Sequence, residues 1–383
     1  MKKVLFLLDS MKTGGGTERI LSLLTNGIAN KYELSIVTIY DFEDRHLFKG
    51  KYYSFRENIK VSTKFLSLLR IHNFIVFFKI YKAIKSISPD LIISVMDYMN
   101  ILTVFMKSLF HIKIPLLISI WCNPIIEYKS KPIYVLLIKI LYRIKTICRI
   151  ITVSKELNNL LERDYHIKKE KFQTIYTGIE VQKIKKLKNE TIVEDSEIFL
   201  NDKIIKFITV GRLVDAKGHK HLIEAFFKVK NELQNSVLII RGNGPLKKDI
   251  LKLIEKRGLE NEIFFLGVKK NIFKYIARAD IFVLSSEREG FPTVLLEALA
   301  CGVPIISTDC DTGPKEILDN GKYGLLAKNK DSQDLAQKMI KLAKDKDLQK
   351  KYSELSLKRA EFFDIKYSID QWIDLINSSI KDN

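Results

Sequence analysis

The stretch from Ile281 to Thr308, "IFVLSSEREGFPTVLLEALACGVPIIST", contains one complete strand–helix–strand pattern. Short apolar runs at its two ends are typical of buried strands. Between them, Pro292 suits the first turn of a helix and Gly302 predicts its end. Glu289 lies before this predicted helix and Glu297 lies inside it. Acids near a helix start can satisfy its dipole, or they can bind something that carries hydroxyl groups.

The same alternation of apolar runs and amphipathic helical patterns continues through almost the whole chain. Helical patterns such as 221–233 and 246–258 lie between runs that are apolar on both faces, as strands of parallel sheets are. We therefore predict an α/β protein with two doubly wound, Rossmann-like domains. The predicted strands are 4–8, 34–40, 91–95, 115–120, 149–154, 172–176, 204–211, 236–242, 262–267, 281–286 and 304–308.

Domain boundaries follow from length and from one break in the pattern. A chain of 383 residues is too long for one ordinary core. The regular alternation lapses over 181–203, which is charged and weakly periodic. We predict a first domain over 1–180, a linker over 181–203, a second domain over 204–365 and a terminal helix over 366–383.

Composition limits the classes of protein to consider. The net charge of +19 suits nucleic acid, an anionic membrane or a phosphorylated ligand. The four cysteines form no CxxC pair, which predicts neither a disulfide framework nor a zinc site and favours a reduced, cytosolic setting. The apolar run 4–8 ends at Asp9 and predicts a strand rather than a signal peptide. No stretch reaches the ~20 apolar residues of a membrane span.

Two turns in the chain carry groups that suit phosphate. Gly14, Gly15 and Gly16 follow the first strand, where glycines let backbone amides approach an anion at a helix start. The three glycines match neither the GxGxxG pattern of dinucleotide-binding proteins nor the Walker phosphate-binding loop. The alternative to an anion site is a flexible turn between strand and helix. Arg212 and Lys217 follow a strand of the second half. Both side chains bind phosphate oxygens well, although solvated surface cations would look the same.

These features share one edge of the predicted second sheet. Ligands of open α/β sheets bind beyond the carboxyl ends of the strands. Free amides from Gly290 to Val294 would face an anionic group there. The carboxylates of Glu289 and Glu297 can accept hydrogen bonds from paired sugar hydroxyls. His219 and His221 have a metal-like spacing, but no further ligand accompanies them, so we predict no metal.

Taken together, the motifs resemble glycosyltransferase family 4, whose members are retaining nucleotide-sugar enzymes of the GT-B fold. The resemblance covers nearly the whole length and is densest over 207–326. It implies two Rossmann-like domains facing a central cleft, with the helix 366–383 packing back toward the first domain. The matching elements are Glu289 and Glu297 of E-x7-E, Gly211, Arg212, Leu213, Lys217 and Gly218 of "GRL…KG", Gly15, Gly16, Glu18 and Arg19 of "GGxER", and "TGPKEI" from Thr312.

The resemblance also implies roles for individual residues. Arg212 and Lys217 would neutralise the departing diphosphate, so no metal or other cofactor is required. Glu289 would hold the sugar hydroxyls and Glu297 the ribose hydroxyls. We predict Glu289, Arg212 and Lys217 as catalytic residues. The full implied donor site is Gly15, Gly16, Arg212, Lys217, Val268 (through its backbone, to the base), Glu289, Gly290, Phe291, Pro292, Thr293 and Glu297.

The acceptor side departs from the family pattern. Many relatives carry a histidine after the fourth strand of the first domain, where this chain has Trp121, Cys122 and Asn123. We predict Trp121 and Asn123 as acceptor-binding residues. Asn123 can orient a hydroxyl but cannot act as a base at neutral pH. A plain strand end before Pro124 is the alternative.

The predicted reaction moves a hexose or N-acetylhexosamine from a UDP-sugar to a sugar hydroxyl of a lipid-linked glycan acceptor, in polysaccharide or glycan biosynthesis. Basic amphipathic stretches at 65–85 and 131–150 can lie on an anionic leaflet, or can simply pack in the core. We expect a cytoplasmic enzyme, peripheral on the inner face of the cytoplasmic membrane. The alternatives are a GDP-mannose-dependent mannosyltransferase and, more remotely, a nucleic-acid-binding protein, for which no motif is visible.

Overall fold

The computed structural model describes residues 1–12, 16–55, 71–128, 131–193, 196–267 and 269–381. The chain forms two compact units. The first contains residues 1–177 and 365–383, and the second contains residues 178–364. Gly15 and Val268, both predicted to bind the donor, lie outside the described residues.

Up to residue 177, strands and helices alternate as predicted. The strands are β1 (Lys2–Leu8), β2 (Tyr32–Thr38), β3 (Lys51–Ser54), β4 (Leu91–Val95), β5 (Leu116–Ile120), β6 (Arg149–Thr152) and β7 (Phe172–Thr174). The helices are α1 (Gly16–Ile28), α2 (Ile71–Ile87), α3 (Asp97–Leu109), α4 (Pro124–Glu127), α5 (Pro132–Leu141) and α6 (Lys155–Tyr165).

The alternation continues to the end of the chain. The strands are β8 (Ile205–Val210), β9 (Ser236–Arg241), β10 (Ile263–Phe265), β11 (Ile281–Leu284), β12 (Ile305–Asp309) and β13 (Leu325–Lys328). The helices are α7 (Val181–Leu187), α8 (Ser196–Leu200), α9 (His219–Glu232), α10 (Lys247–Arg257), α11 (Phe273–Ile276), α12 (Thr293–Cys301), α13 (Pro314–Ile317), α14 (Ser332–Lys344), α15 (Lys346–Phe362) and α16 (Ile365–Lys381).

The first unit is a parallel sheet in the order β3-β2-β1-β4-β5-β6-β7. β1 pairs with β2 on one side and with β4 on the other, in registers that include Val4↔Leu34 and Val4↔Leu91. Its central strands are apolar because both faces are covered. Trp372 and Ile376 of α16 belong to the core cluster that includes Phe6. The terminal helix therefore completes the core of the unit in which the chain begins.

The second unit is also a parallel sheet, in the order β10-β9-β8-β11-β12-β13. Its main core joins Phe207 of β8 with Phe226 of α9 and Met339 of α14. The predicted helix 246–258 is α10, which ends where Gly258 adopts φ +63°. Two doubly wound parallel sheets confirm the predicted fold class.

The segment 181–203, predicted as a linker, lies within the second unit and contains α7 and α8. Val181 and Ile184 are buried although the lysines around them dominate the composition. Asn271 Nδ2 donates to the Leu187 carbonyl at 2.8 Å, and Lys188 Nζ donates to the Cys301 carbonyl at 3.0 Å. These contacts fasten the segment to α11 and α12.

Two further observations concern composition. All four cysteines, Cys122, Cys148, Cys301 and Cys310, carry free thiols. Within the described ranges, no helix combines the length and the apolar character that crossing a membrane requires.

Candidate active site

The turn after β8 presents Lys217 at the carboxyl edge of the second sheet. Asp215–Lys217 form one turn of 3-10 helix, and Gly218 follows at φ +59°. A Cβ at Gly218 would collide with the Ser285 carbonyl, so only glycine allows this close approach. Ser285 Oγ donates to the Lys217 carbonyl at 2.9 Å. The turn that carries Lys217 is thus seated directly on the segment that follows β11.

Glu289 meets Lys217 at this edge. Lys217 Nζ lies 2.5 Å from Glu289 Oε1, and Ser286 Oγ donates to the same oxygen at 2.6 Å. The side chain of Glu289 is 9% exposed and that of Lys217 is 25% exposed. A charge-assisted hydrogen bond in a half-buried site is strong and directional. Two residues predicted to bind different parts of one ligand are therefore in direct contact.

The loop from Gly290 to Thr293 is fixed from its other side by the segment after β12. Thr312 Oγ1 donates to the Glu289 carbonyl at 2.7 Å. Gly313 adopts φ +95°, and a Cβ there would meet the Gly290 carbonyl. The ring of Phe291 packs edge-on against Phe363 at 5.7 Å between centroids.

Helix α12 begins directly after this loop. Pro292 is the residue before its first helical position, Thr293, so the amides at the helix start belong to the predicted donor loop. Glu297 lies within α12 and is 5% exposed.

Arg212 and the two neighbouring histidines have separate surroundings. The Arg212 side chain is exposed, and its carbonyl lies 3.1 Å from Nε2 of the buried His219. Burial lowers the pKa of His219, which favours the neutral ring with Nε2–H as donor. His221 Nε2 lies 3.2 Å from the Glu287 carboxylate instead. Among the described residues, no group of three or more His, Cys, Asp or Glu could hold a metal ion.

The carboxyl edge of the first sheet carries the predicted acceptor residues. Trp121 and Asn123 follow β5, and Asn123 is buried. Trp121 Nε1 is buried without a hydrogen-bond partner in the described part of the chain. Gly16 is the exposed first residue of α1. These residues share the carboxyl edge of the first sheet, and ligands of open α/β sheets bind at such edges.

Two acids at this edge, the buried Asp97 and the partly buried Asp9, were missed by sequence reasoning. Asp97 follows β4 and accepts a hydrogen bond from Tyr142 Oη at 2.7 Å. Burial raises the pKa of Asp97 to about 7, against the opposing effect of the Tyr142 bond. Burial, with the charge of Glu18, likewise raises the pKa of Asp9 to about 7. The available signal was an acid immediately after a run of apolar strand residues, as at Leu8–Asp9.

Met96, between β4 and Asp97, has φ 73° and ψ 148°. This region of backbone space is costly for any residue with a side chain, and such outliers cluster at functional sites. Strained backbone next to a buried acid with a raised pKa marks this strand end as a candidate part of the site.

Two parallel-sheet units of this kind are the architecture of the GT-B fold, and solved structures match it. Anabaena HepE, crystallised in complex with UDP, superposes with a TM-score of 0.79 at 21% identity over 99% of this chain and 100% of that one. Residues 14–183 match the family model Glycosyltransferase Family 4, and residues 189–359 match Glycosyl transferases group 1.

Curated relatives agree with the family models. An uncharacterised glycosyltransferase of Methanocaldococcus jannaschii is 34% identical over 340 residues, covering 79% of this chain and 83% of the relative. A Campylobacter jejuni N-acetylgalactosamine-N,N'-diacetylbacillosaminyl-diphospho-undecaprenol 4-alpha-N-acetylgalactosaminyltransferase is 27% identical over 352 residues, covering 91% and 93%. The chain belongs to glycosyltransferase family 4, as its motifs predicted, and is a transferase.

Proposed function

We propose that this enzyme transfers a hexose or N-acetylhexosamine from a UDP-sugar to a sugar hydroxyl of a lipid-linked glycan, with retention of anomeric configuration. The observation that carries the proposal is the contact between Lys217 and Glu289 at a sheet edge beside the start of α12. The site offers a cation for a diphosphate next to a carboxylate for sugar hydroxyls. The Campylobacter relative is named for an undecaprenol-linked acceptor, and HepE was crystallised with UDP.

In the proposed reaction, the acceptor oxygen forms a bond to the anomeric carbon as the bond from that carbon to the diphosphate oxygen breaks. The bonding electrons go to the diphosphate, whose oxygen also takes the acceptor's proton. Arg212 and Lys217 stabilise the charge that develops there, as preorganised cations do in phosphate sites. Because both cations come from the protein, we propose that the reaction needs no metal.

The other predicted contacts remain proposals on the same scheme. Glu289 holds hydroxyls of the transferred sugar, and Glu297 those of the ribose. Trp121 and Asn123 bind the acceptor. The loop residues Gly290, Phe291, Pro292 and Thr293, together with Gly15, Gly16 and the Val268 backbone, complete the donor site.

A direct test is to measure the melting temperature of the purified protein with UDP, GDP or ADP, in buffer containing EDTA. A ligand that binds only the folded state raises this temperature. We expect UDP to raise it and the others to have little effect, and we expect Glu289→Ala to remain folded but inactive with the matching UDP-sugar. Stabilisation by GDP alone, or strict dependence of transfer on magnesium, would contradict the proposal.

A lipid-linked acceptor requires the enzyme to work at a membrane surface. Helix α5 carries an apolar stripe, defined here as Ile133, Leu136 and Ile140, whose side chains are 55%, 56% and 54% exposed. The spacing of three and four residues places all three on one helix face. The exposed Arg143 and Lys145 follow directly. We propose that this stripe rests in the interface of an anionic leaflet, attracted by the net charge of +19.

Sedimentation with vesicles of phosphatidylglycerol and phosphatidylcholine tests this contact. Changing Ile133, Leu136 and Ile140 together to Ser should lower the bound fraction, because the apolar area that enters the interface is lost. Changing Val193, Leu200 and Leu251 to Ser provides the control, since these are also exposed apolar residues but belong to the second unit. Equal loss in the two variants would contradict a specific role for the α5 stripe.

A further inference from the structure

We propose that Glu287 is a positioning residue of the donor site, holding Lys217 and Glu289 in their mutual geometry through ion pairs with α9 and with the loop before α14. The inference rests on the proposed function, because it assigns a purpose to the pair that Glu287 supports. The family motif begins at Glu289, so neither the motif nor the sequence pattern pointed to Glu287.

Two lysine ammonium groups and one imidazole ring meet at the Glu287 carboxylate. Lys330 Nζ and His221 Nε2 each lie 3.2 Å from it, and Lys220 Nζ lies 3.6 Å away. The side chain of Glu287 is only 13% exposed. Burial alone would raise its pKa, but the hydrogen bond from Lys330 and the neighbouring positive charges outweigh burial and lower it. The group is therefore a carboxylate at neutral pH.

The backbone of Glu287 is held equally firmly. Its N–H donates to the Ala216 carbonyl at 2.9 Å, and its carbonyl accepts from Asn329 Nδ2 at 3.0 Å. Ala216 immediately precedes Lys217, and Glu287 is two residues from Glu289. Lys217 is thus linked to Glu287 through the backbone hydrogen bond to its neighbour Ala216, and Glu289 is linked to Glu287 through one intervening residue.

Because Lys220 and Lys330 are largely exposed, we infer that their ion pairs with Glu287 position the segment 285–289 more than they stabilise the fold. The side chains of Lys220 and Lys330 are 62% and 59% exposed. Ion pairs with such open partners contribute little to the free energy of unfolding. Without the carboxylate of Glu287, however, Lys220 and Lys330 would lose the group that ties both of them to the segment 285–289. The segment 285–289 would then move, and small displacements of catalytic groups cost large factors in rate.

The experiment compares wild type with Glu287→Gln, Lys330→Gln and the double variant. Glu287→Gln keeps the shape of the side chain and removes its charge. We expect kcat for transfer to fall by about tenfold or more, a fraction of the ~10²-fold cost of misplacing a catalytic group by 1 Å. The melting temperature should stay close to that of wild type. Since both substitutions break the same contact, the double variant should lose no more than Glu287→Gln alone.

Lys322→Gln is the matched control, because Lys322 is an equally exposed lysine of the second unit that pairs with Asp319. It should transfer at the wild-type rate. Wild-type kcat in Glu287→Gln would overturn the inference. The inference would also be overturned if Glu287→Gln lost activity together with melting temperature while Lys330→Gln had no effect. That pattern would show that Glu287 contributes only to the stability of the fold. If wild type binds no nucleotide and transfers no sugar, the proposed function itself fails and the inference falls with it.

Discussion

At the scale of single residues, Lys217 and Glu289 bind each other, although each is predicted to bind a part of the donor. Family resemblance gives the lysine to a diphosphate and the glutamate to sugar hydroxyls. In the structure each satisfies the other at 2.5 Å. A diphosphate that enters must compete with the carboxylate for the ammonium and is also repelled by it. We therefore expect donor binding to exchange partners: the phosphate takes Lys217, and Glu289 turns its freed oxygen to the sugar.

Partner exchange makes an unusual prediction for Glu289→Gln. The variant keeps an acceptor for Ser286 but removes the competing charge, so Lys217 becomes fully available to phosphate. We expect the Kd for UDP alone to fall by about tenfold, equivalent to about 1.4 kcal/mol. Transfer should nevertheless be lost, because a neutral amide binds sugar hydroxyls less strongly than a carboxylate. Titration calorimetry with UDP, alongside a transfer assay, measures both effects.

Lys217→Met serves as the control for that experiment, because it removes the phosphate-binding charge and should weaken UDP binding. If Glu289→Gln binds UDP as weakly as Lys217→Met does, Glu289 supports the diphosphate site and no exchange takes place.

At the scale of helices and strands, hydrophobic pattern predicted the sheets well and their edges poorly. Strands such as β4 are apolar on both faces, so a short sequence window is enough to identify them. β3 and β13 were not predicted because they are four-residue edge strands with mixed exposure. The charged segment 181–203 was predicted as a linker because lysines hide the few apolar positions of α7. Short edge strands and short lysine-rich helices contain too few apolar positions to give a recognisable pattern.

The candidate site divides in the same way. The predicted parallel strands placed Arg212, Lys217 and Glu289 at one edge of the second sheet, because the loops that follow parallel strands lie at the same edge. The role of Glu287 could not be predicted, since its partners come from segments whose proximity is set by the folded sheet. The same holds for Asp97, whose hydrogen-bond partner Tyr142 is the residue after α5. Ion pairs and burial that involve distant segments depend on the tertiary structure, and no local sequence pattern predicts them.

The turn that carries Lys217 gives a prediction about elements. Gly218 and Gly258 both have φ near +60°, where alanine is strained by about 1–2 kcal/mol. A Cβ at Gly218 would also collide with the Ser285 carbonyl, whereas nothing lies within 4 Å of one at Gly258. Gly218→Ala should therefore displace the turn and abolish UDP binding. Gly258→Ala should lose a similar amount of backbone stability but bind UDP normally, as nucleotide-induced changes in melting temperature would report. Equal UDP binding by both variants would show that the turn tolerates displacement.

At the scale of the whole molecule, buried acids couple stability to pH. Asp97 is buried, and the charged or titratable groups acting on it are Asp9, Glu127 and Tyr142; Cys122, Tyr128 and Tyr134 also feel its charge. Its folded-state pKa is raised from 3.8 to about 7. The folded protein therefore binds more protons than the unfolded chain between about pH 4 and pH 7. Stability must fall as pH rises through that window, and the loss is complete above the folded pKa.

Asp97→Asn should remove the contribution of Asp97 to this dependence, because asparagine can still accept the hydrogen bond from Tyr142 but carries no proton to lose. We expect the melting temperature of the variant, relative to wild type, to rise from pH 5 to pH 8. Asp90→Asn is the control. Burial opposes ionisation of Asp90, but hydrogen bonds from the Lys3 backbone and Lys2 lower its pKa below the ordinary value of 3.8. Asp90 is thus fully ionised throughout the range, and its variant should show a constant offset. A flat difference for Asp97→Asn as well would mean that the Asp97 carboxyl is already ionised at pH 5, despite its burial against Tyr142.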